Sequence, residues 1–214
     1  MSTTPTHAGR APKSAADWDS RYASAPQLFS GHPNHALITE VSGLEPGRAL
    51  DVGCGEGADA IWLAEHGWNV TAVDVSQVAL ERAALRATHL ATPVQWVQAG
   101  LADLSPAPEG YDLVTALYPA LPSSTAHAGE HALLNAVAPK GLLLVVFHAG
   151  FDGAKAREHG IDPADYVMAV DVVTALLGGD WQVHIDTKRP REMPPGAANN
   201  GHTDDVVIRA RRLR

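Results

Sequence analysis

The stretch that decides the fold is Ala49-Leu50-Asp51-Val52-Gly53-Cys54-Gly55-Glu56-Gly57. Residues 48–52 form a short apolar run that reads as a strand. It enters a cluster with glycine at every second position, and residues 58–66 then read as a helix closed by Gly67. Alternate glycines let a backbone approach a ligand without a Cβ clash and adopt positive φ. The helix N-terminus behind them offers free N–H groups and positive potential. The spacing is G-x-G-x-G, whereas a nicotinamide or flavin pyrophosphate site needs G-x-G-x-x-G. Asp51, two residues before the first glycine, would repel a pyrophosphate but suits an ammonium or sulfonium group. Glu56 inside the loop adds to that bias. The loop is expected to take a ligand with a cationic end.

Working outward, the β-branched run at 69–73 reads as a second strand, closed by Asp74. At this place a doubly wound sheet offers a carboxylate to ribose hydroxyls. Ser76 is a plausible N-cap for a helix to about Leu90. Strands are expected at 94–98, 111–117 and 142–147, with a helix at 130–138. The runs YDLVTAL and LLLVVF are nearly continuous in apolar residues, as parallel strands covered on both faces must be. Beyond a loop in the 150s come a helix at 164–177, a strand at 181–187, a Pro/Gly/Asn stretch at 188–202 and a last strand at 204–210. Strand and helix alternate as in a doubly wound α/β sheet. Upstream, residues 1–14 read as a disordered tail. A helical cap over 15–45 follows, in which Trp18 and Tyr22 share one helix face and residues 30–34 turn the chain. Residues 15–214 then make one domain.

Composition sets outer bounds. The 214 residues include 16 Lys+Arg and 24 Asp+Glu, a net charge of -8 that argues against nucleic acid as a partner. The basic end, Arg209-Ala210-Arg211-Arg212-Leu213-Arg214, reads as a solvated strand end. A single cysteine excludes an internal disulfide and a cysteine-based zinc cage. No apolar run reaches the ~18 residues of a membrane span, and the first ten residues lack a signal-peptide core. A soluble, cytoplasmic monomer or homodimer is expected. Among the 11 histidines, His127 and His131 are four apart, yet no surrounding motif completes a metal site, so no metal is expected.

The segments LDVGCGEG and VTAVDVS resemble motif I and the second motif of class I S-adenosylmethionine-dependent methyltransferases. The resemblance implies a Rossmann-like, seven-stranded, mostly parallel sheet whose last strand runs antiparallel. It implies S-adenosylmethionine as cofactor. Gly53, Cys54, Gly55 and Gly57 would surround its methionine part, with Asp51 beneath, supporting the ammonium indirectly. Asp74 would hold the ribose, with Val75 beside the adenine and Leu117 near the ammonium. The family's usual adenine-contacting Asp is replaced by Gly100. Asp103 lies three residues on, which leaves the backbone of Leu101 and Ala102 for that contact. The opening Trp18-Asp19-Ser20-Arg21-Tyr22, then Ser30-Gly31-His32-Pro33-Asn34, resembles the thiopurine and tellurite-resistance branch of small-molecule methyltransferases. There the opening covers the cofactor, which implies contacts from Trp18 and Tyr22.

Methyl transfer from a sulfonium needs a general base only when the acceptor atom carries a proton. Positioning supplies much of the rest. Topology puts Tyr118, Pro119 and Leu121 after the fourth strand, and His148 and Phe151 after the fifth, around the acceptor. His148 is the candidate base, and Tyr118 packs against cofactor or acceptor. Cys54 reads as a small filler or a reactive thiol. The acceptor is a small molecule offering sulfur, selenium or tellurium, or oxygen or nitrogen. A non-catalytic S-adenosylmethionine-binding protein of the same fold is the alternative.

Overall fold

The computed structural model describes residues 14–105, 107–158, 161–193 and 202–214. The expected tail lies outside these residues except for Ser14, as does most of the later part of the Pro/Gly/Asn stretch. Seven strands form one sheet in the order β3-β2-β1-β4-β5-β7-β6. They are β1 Arg48–Val52, β2 Asn69–Asp74, β3 Gln95–Gln98, β4 Tyr111–Leu117, β5 Val137–His148, β6 Trp181–Pro190 and β7 Asp204–Arg212. The first five pair in parallel, and β7 is antiparallel to both β5 and β6. This is the expected mostly parallel α/β sheet with an antiparallel last strand. The parallel strand ends and the start of β7 therefore share one edge.

The helices are α1 Ala15–Ala23, α2 His35–Val41, α3 Ala58–Glu65, α4 Gln77–Arg86, α5 Ala128–Ala136, α6 Gly153–Glu158 and α7 Ala169–Leu176. Both faces of the sheet are covered. Leu50, Val114, Leu143, Val145 and Ile208 pack with Leu133 of α5 and Val172 and Leu176 of α7. Ala49, Leu113, Leu142, Leu144 and Val146 pack on the other face with Leu37 and Val41 of α2 and Leu63 of α3. Two covered faces explain why the central strands lack polar alternation.

Boundaries differ where side chains compete with the backbone. Ser76 caps α4 as expected, its Oγ accepting from Ala79 N at 3.2 Å. The helix nevertheless ends at Arg86 in a 3-10 turn. There Thr88 Oγ1 donates to Leu85 O and the His89 ring meets Arg86 O, occupying carbonyls a further α-turn would use. α5 begins at Ala128, two residues before the expected start, and runs straight into β5, because Pro139 cannot extend a helix. The segment before α7 is extended rather than helical: Tyr166 bridges Pro122, and buried Val167 donates its N–H to Leu121 O. α6 forms where a loop was expected.

Candidate functional site

The glycine loop is built by three residues in the left-handed region. Gly53, Gly55 and Gly57 have φ of 69°, 52° and 81°, where a side chain costs about 1–2 kcal/mol. The N–H groups of Gly53 and Cys54 both donate to Val73 O, at 2.8 and 3.1 Å, which staples the loop to β2. A Cβ on Gly53 would meet nothing within 4 Å, so the backbone is open to close approach there. A Cβ on Gly57 would lie 2.7 Å from Ala83 Cβ and 2.8 Å from Trp96, so this glycine packs the loop against α4 and β3.

Two carboxylates frame the loop. Asp51, 2% exposed, accepts from Thr115 Oγ1 at 2.9 Å through Oδ1. Its Oδ2 is buried and has no hydrogen-bond partner among the described residues. Burial, then the nearby Asp59 and Asp74, push its carboxyl up, against the Thr115 bond and the Ala60 N–H at the start of α3. Asp74 accepts from Gly55 N at 2.9 Å and from Ser76 N at 2.8 Å, one through each oxygen. Each oxygen keeps a further lone pair. Burial raises Asp74 as well, opposed by those two bonds. A buried carboxylate oxygen left alone is costly, and a cationic group above the loop is the chemistry that relieves it. Asp51, Gly53, Gly55, Gly57 and Asp74 are thus brought together.

The cap is held by carboxylates that sequence reasoning missed or misassigned. Asp19 Oδ1 accepts from Ser76 Oγ at 2.6 Å and Val78 N at 3.1 Å, docking α1 on the start of α4. Those bonds hold Asp19 below the usual carboxylate range. Glu56 is not part of an acidic ligand face: it is buried, accepts from the N–H groups of Leu28 and Phe29, and pairs with Arg82 at 3.0 Å. Asp59 accepts from Asn34 N at 2.7 Å and Asn34 Nδ2 at 2.6 Å, fixing the entry to α2. Burial raises Asp59 and those bonds oppose it. Tyr22 is buried with its hydroxyl 2.7 Å from where a Gly55 Cβ would stand, so it lies directly on the loop. Trp18 is half-buried beside it, ring centroids 6.0 Å apart. Desolvation, then Asp51 and Asp74, push the Cys54 thiol up, which supports the filler reading over the reactive one.

At the β3 end, Val75 is half-buried and Leu101 is buried in the core, so only the backbone of Leu101 can face a ligand. Ala102 is exposed. A 3-10 turn over Leu101–Asp103 folds the chain back, with Asp103 N donating to Gly100 O at 3.0 Å. Asp103 Oδ2 then lies 2.9 Å from the place of a Gly100 Cβ. A separation in sequence of three residues does not keep this carboxylate away: it fills the side-chain space Gly100 leaves empty.

The other half of the edge carries Tyr118, His148, Asp205 and His202. Tyr118 has φ of 51°, its N–H donating to Val146 O at 2.8 Å and its hydroxyl to Asp205 Oδ2 at 2.8 Å. Burial and that hydrogen bond push the phenol well above its ordinary value, so it stays a neutral donor. The His148 ring stacks between Tyr118 and His202, 4.3 Å from each. Leu117 is buried at the end of β4. Leu121 belongs to the core rather than to an acceptor wall, because its carbonyl is tied to Val167. Phe151 is exposed.

His127 precedes α5 at φ of 51° and pairs with Glu130, while its ring centroid is 6.4 Å from that of His131. Among the described residues no three metal-ligating side chains cluster. Among them, too, no helix is long and apolar enough to cross a membrane.

Residues 49–141 match a family model described as a methyltransferase domain. A ubiquinone biosynthesis O-methyltransferase of Alkalilimnicola ehrlichii is 32% identical over 173 residues, covering 79% of this chain and 64% of that protein. A glycine N-methyltransferase of Rattus norvegicus is 31% identical over 175 residues, covering 72% of this chain and 59% of that protein. The chain thus spans less than two thirds of the length of the curated relatives it matches first. Among solved structures, the N-methyltransferase NodS from Bradyrhizobium japonicum WM9, in complex with S-adenosyl-L-homocysteine, superposes with a TM-score of 0.63 at 22% identity. That match covers 84% of each chain.

Proposed function

We propose that this chain, whose residues 49–141 match a methyltransferase domain, is a class I S-adenosylmethionine-dependent methyltransferase that moves the cofactor's methyl group to a small-molecule acceptor. The observation that carries the reading is the unpartnered, buried Asp51 Oδ2 beneath a loop of three left-handed glycines. When bound, S-adenosylmethionine supplies an electrophilic methyl on a sulfonium. The residues of this chain bind and orient it. Asp51 answers the positive charge of the methionine end, and Gly53, Cys54, Gly55 and Gly57 let that end approach the backbone. Asp74 keeps lone pairs for the ribose hydroxyls. Val75, Leu101, Ala102 and the returning carboxylate of Asp103 border the adenine. Leu117 closes the methionine end, and Trp18 and Tyr22 cover the loop and exclude water.

Two curated relatives named for an O- and an N-methyltransferase support a small-molecule acceptor. The thiopurine-like opening at 18–34 rests on its own motif, to which neither relative adds. The alternative, a non-catalytic binder, loses its motive because Asp103 occupies the space at Gly100. Calorimetry with S-adenosylmethionine, S-adenosylhomocysteine and NAD(P) tests the cofactor. Micromolar binding of the first two and none of the third is expected. Release of S-adenosylhomocysteine with a panel of thiols, phenols and amines then tests the enzyme; tight binding without release from any acceptor would establish the binder instead.

A further inference from the structure

Strand direction brings one more carboxylate to the site. Because β7 is antiparallel, Asp205 at its start pairs in register with His148 at the end of β5. Asp205 is 3% exposed, and its Oδ2 accepts the Tyr118 hydroxyl. Its other oxygen, Oδ1, faces His148 Nδ1 at 3.6 Å. Both atoms are buried and neither has a hydrogen-bond partner among the described residues. At 3.6 Å they do not yet bond. A closure of about 0.6 Å would satisfy two orphans at once, and bonds of this kind commonly tighten when a ligand binds.

We propose that Asp205 is a positioning residue that fixes His148 as a general base. The acceptor then carries a proton on its attacking atom: a phenol, an alcohol or an amine rather than a thiolate. The proposal rests on the methyl-transfer reading above. The His148 ring is clamped on both faces, by Tyr118 at an interplanar angle of 26° and by His202 at 2°. Only its edges remain for chemistry. Asp205, already accepting from Tyr118, is an acceptor on both oxygens, so it selects the tautomer with hydrogen on Nδ1. Nε2 then keeps its lone pair on the opposite edge. The acceptor's proton passes to Nε2 as its freed electron pair takes the methyl carbon. The carbon–sulfur electron pair stays with the departing thioether. The resulting imidazolium is stabilised by Asp205 and later releases its proton to water. A thiolate has no proton to give, and this arrangement would be idle toward it. The groups facing His148 are Tyr118, Asp205 and His202, with Arg191 over the Tyr118 ring. Lys155 of α6 and Arg191 also act on His202, which desolvation first and His148 next keep below its ordinary value.

Nitrogen NMR of the imidazoles in the full chain, with His148→Gln for assignment, tests the tautomer without any acceptor. The neutral wild-type His148 is expected to carry its proton on Nδ1. In Asp205→Asn, the amide oxygen keeps the Tyr118 hydroxyl and the NH2 turns to Nδ1, so the proton moves to Nε2. A wild-type proton on Nε2, or one tautomer in both proteins, overturns the proposal; the wild-type spectrum alone decides if the variant fails to fold. With catechol and thiophenol as acceptors, Asp205→Asn should lower kcat about a hundredfold more for catechol. Its KM for catechol and its affinity for S-adenosylhomocysteine should move less than about threefold. Equal losses on the two acceptors, or turnover of thiols alone, would refute the acceptor class. A wild-type chain that binds neither S-adenosylmethionine nor its product would instead overturn methyl transfer, and the tautomer would still be readable.

Discussion

If Asp51 answers a cationic ligand, binding must be linked to a proton. In the free protein its carboxyl is pushed up by burial and by Asp59 and Asp74. It therefore holds its proton to higher pH than a free carboxyl, and an ammonium held above it favours the loss of that proton. Binding of S-adenosylhomocysteine near neutral pH should therefore release a proton, because the carboxyl is raised by burial in the free protein. Affinity should rise between pH 6 and 7, a window below the ordinary range of an α-amino group. Calorimetry at pH 7 in two buffers of different ionisation heat counts the proton. Asp51→Asn should abolish both the release and the pH slope, and weaken binding at pH 7 by about tenfold to a hundredfold, as for a lost bond to a charged group. The ligand-free protein supplies an independent check. A carboxyl raised on folding keeps a proton that the unfolded chain has lost, so stability falls as pH rises above the ordinary carboxylate value of about 4. That fall should be shallower in Asp51→Asn. Binding with no proton release and a flat pH profile would refute the reasoning, and so would an Asp51→Asn protein that still releases the proton.

Asp103→Ala should weaken S-adenosylhomocysteine binding about tenfold, ~1.4 kcal/mol, because the carboxylate at Gly100 is removed; unchanged calorimetric affinity would detach Asp103 from the site. Gly57→Ala should cost about 2–4 kcal/mol in denaturant unfolding, from a side chain at positive φ plus crowding of Ala83 and Trp96. A loss below about 1 kcal/mol would mean the loop has room that the geometry denies it. Glu56→Ala leaves Arg82 and the Leu28 and Phe29 N–H groups without their acceptor. Amide exchange should accelerate at those two residues and not in the central strands. Uniform acceleration would show that Glu56 holds the whole fold rather than the cap.

The centre of the fold was legible because its signals are local. Runs such as YDLVTAL and LLLVVF can be satisfied only by strands buried on both faces, and the glycine loop declares itself by positions no other residue fills. Helix ends were less legible, because Thr88 and His89 at the end of α4 and Val167 before α7 act through bonds and burial that depend on tertiary placement. In the candidate site, Asp51 and Asp74 stand beside the motif and could be read directly. Asp205 lies 57 positions after His148 and becomes its neighbour only through the register of an antiparallel strand. Its one local signal was an acidic pair opening an apolar strand, Asp204-Asp205-Val206-Val207-Ile208. Asp103 was discounted by counting residues along the chain, a measure that a 3-10 turn defeats.

Apart from Asp74, whose oxygens each accept a backbone N–H and keep a lone pair at the loop, the buried carboxylates sort by how completely they are bonded. Glu56 and Asp59 each have both oxygens engaged by the cap, and neither has capacity that a ligand must supply. Asp51 and Asp205 each have one oxygen satisfied by a hydroxyl, Thr115 or Tyr118, and one buried oxygen without a bond among the described residues. Glu130 also has a lone buried oxygen. It sits in the first turn of α5, where the helix N-terminus offsets its charge. Asp51 and Asp205 each belong to a strand. Their missing partner must come from elsewhere: a cation for Asp51, and the His148 N–H for Asp205. The two lie on either side of β4, whose end carries Thr115 to one and Tyr118 to the other. One strand thus presets both halves of the site, orienting a carboxylate toward the charge of the methyl donor and another toward the base for the acceptor.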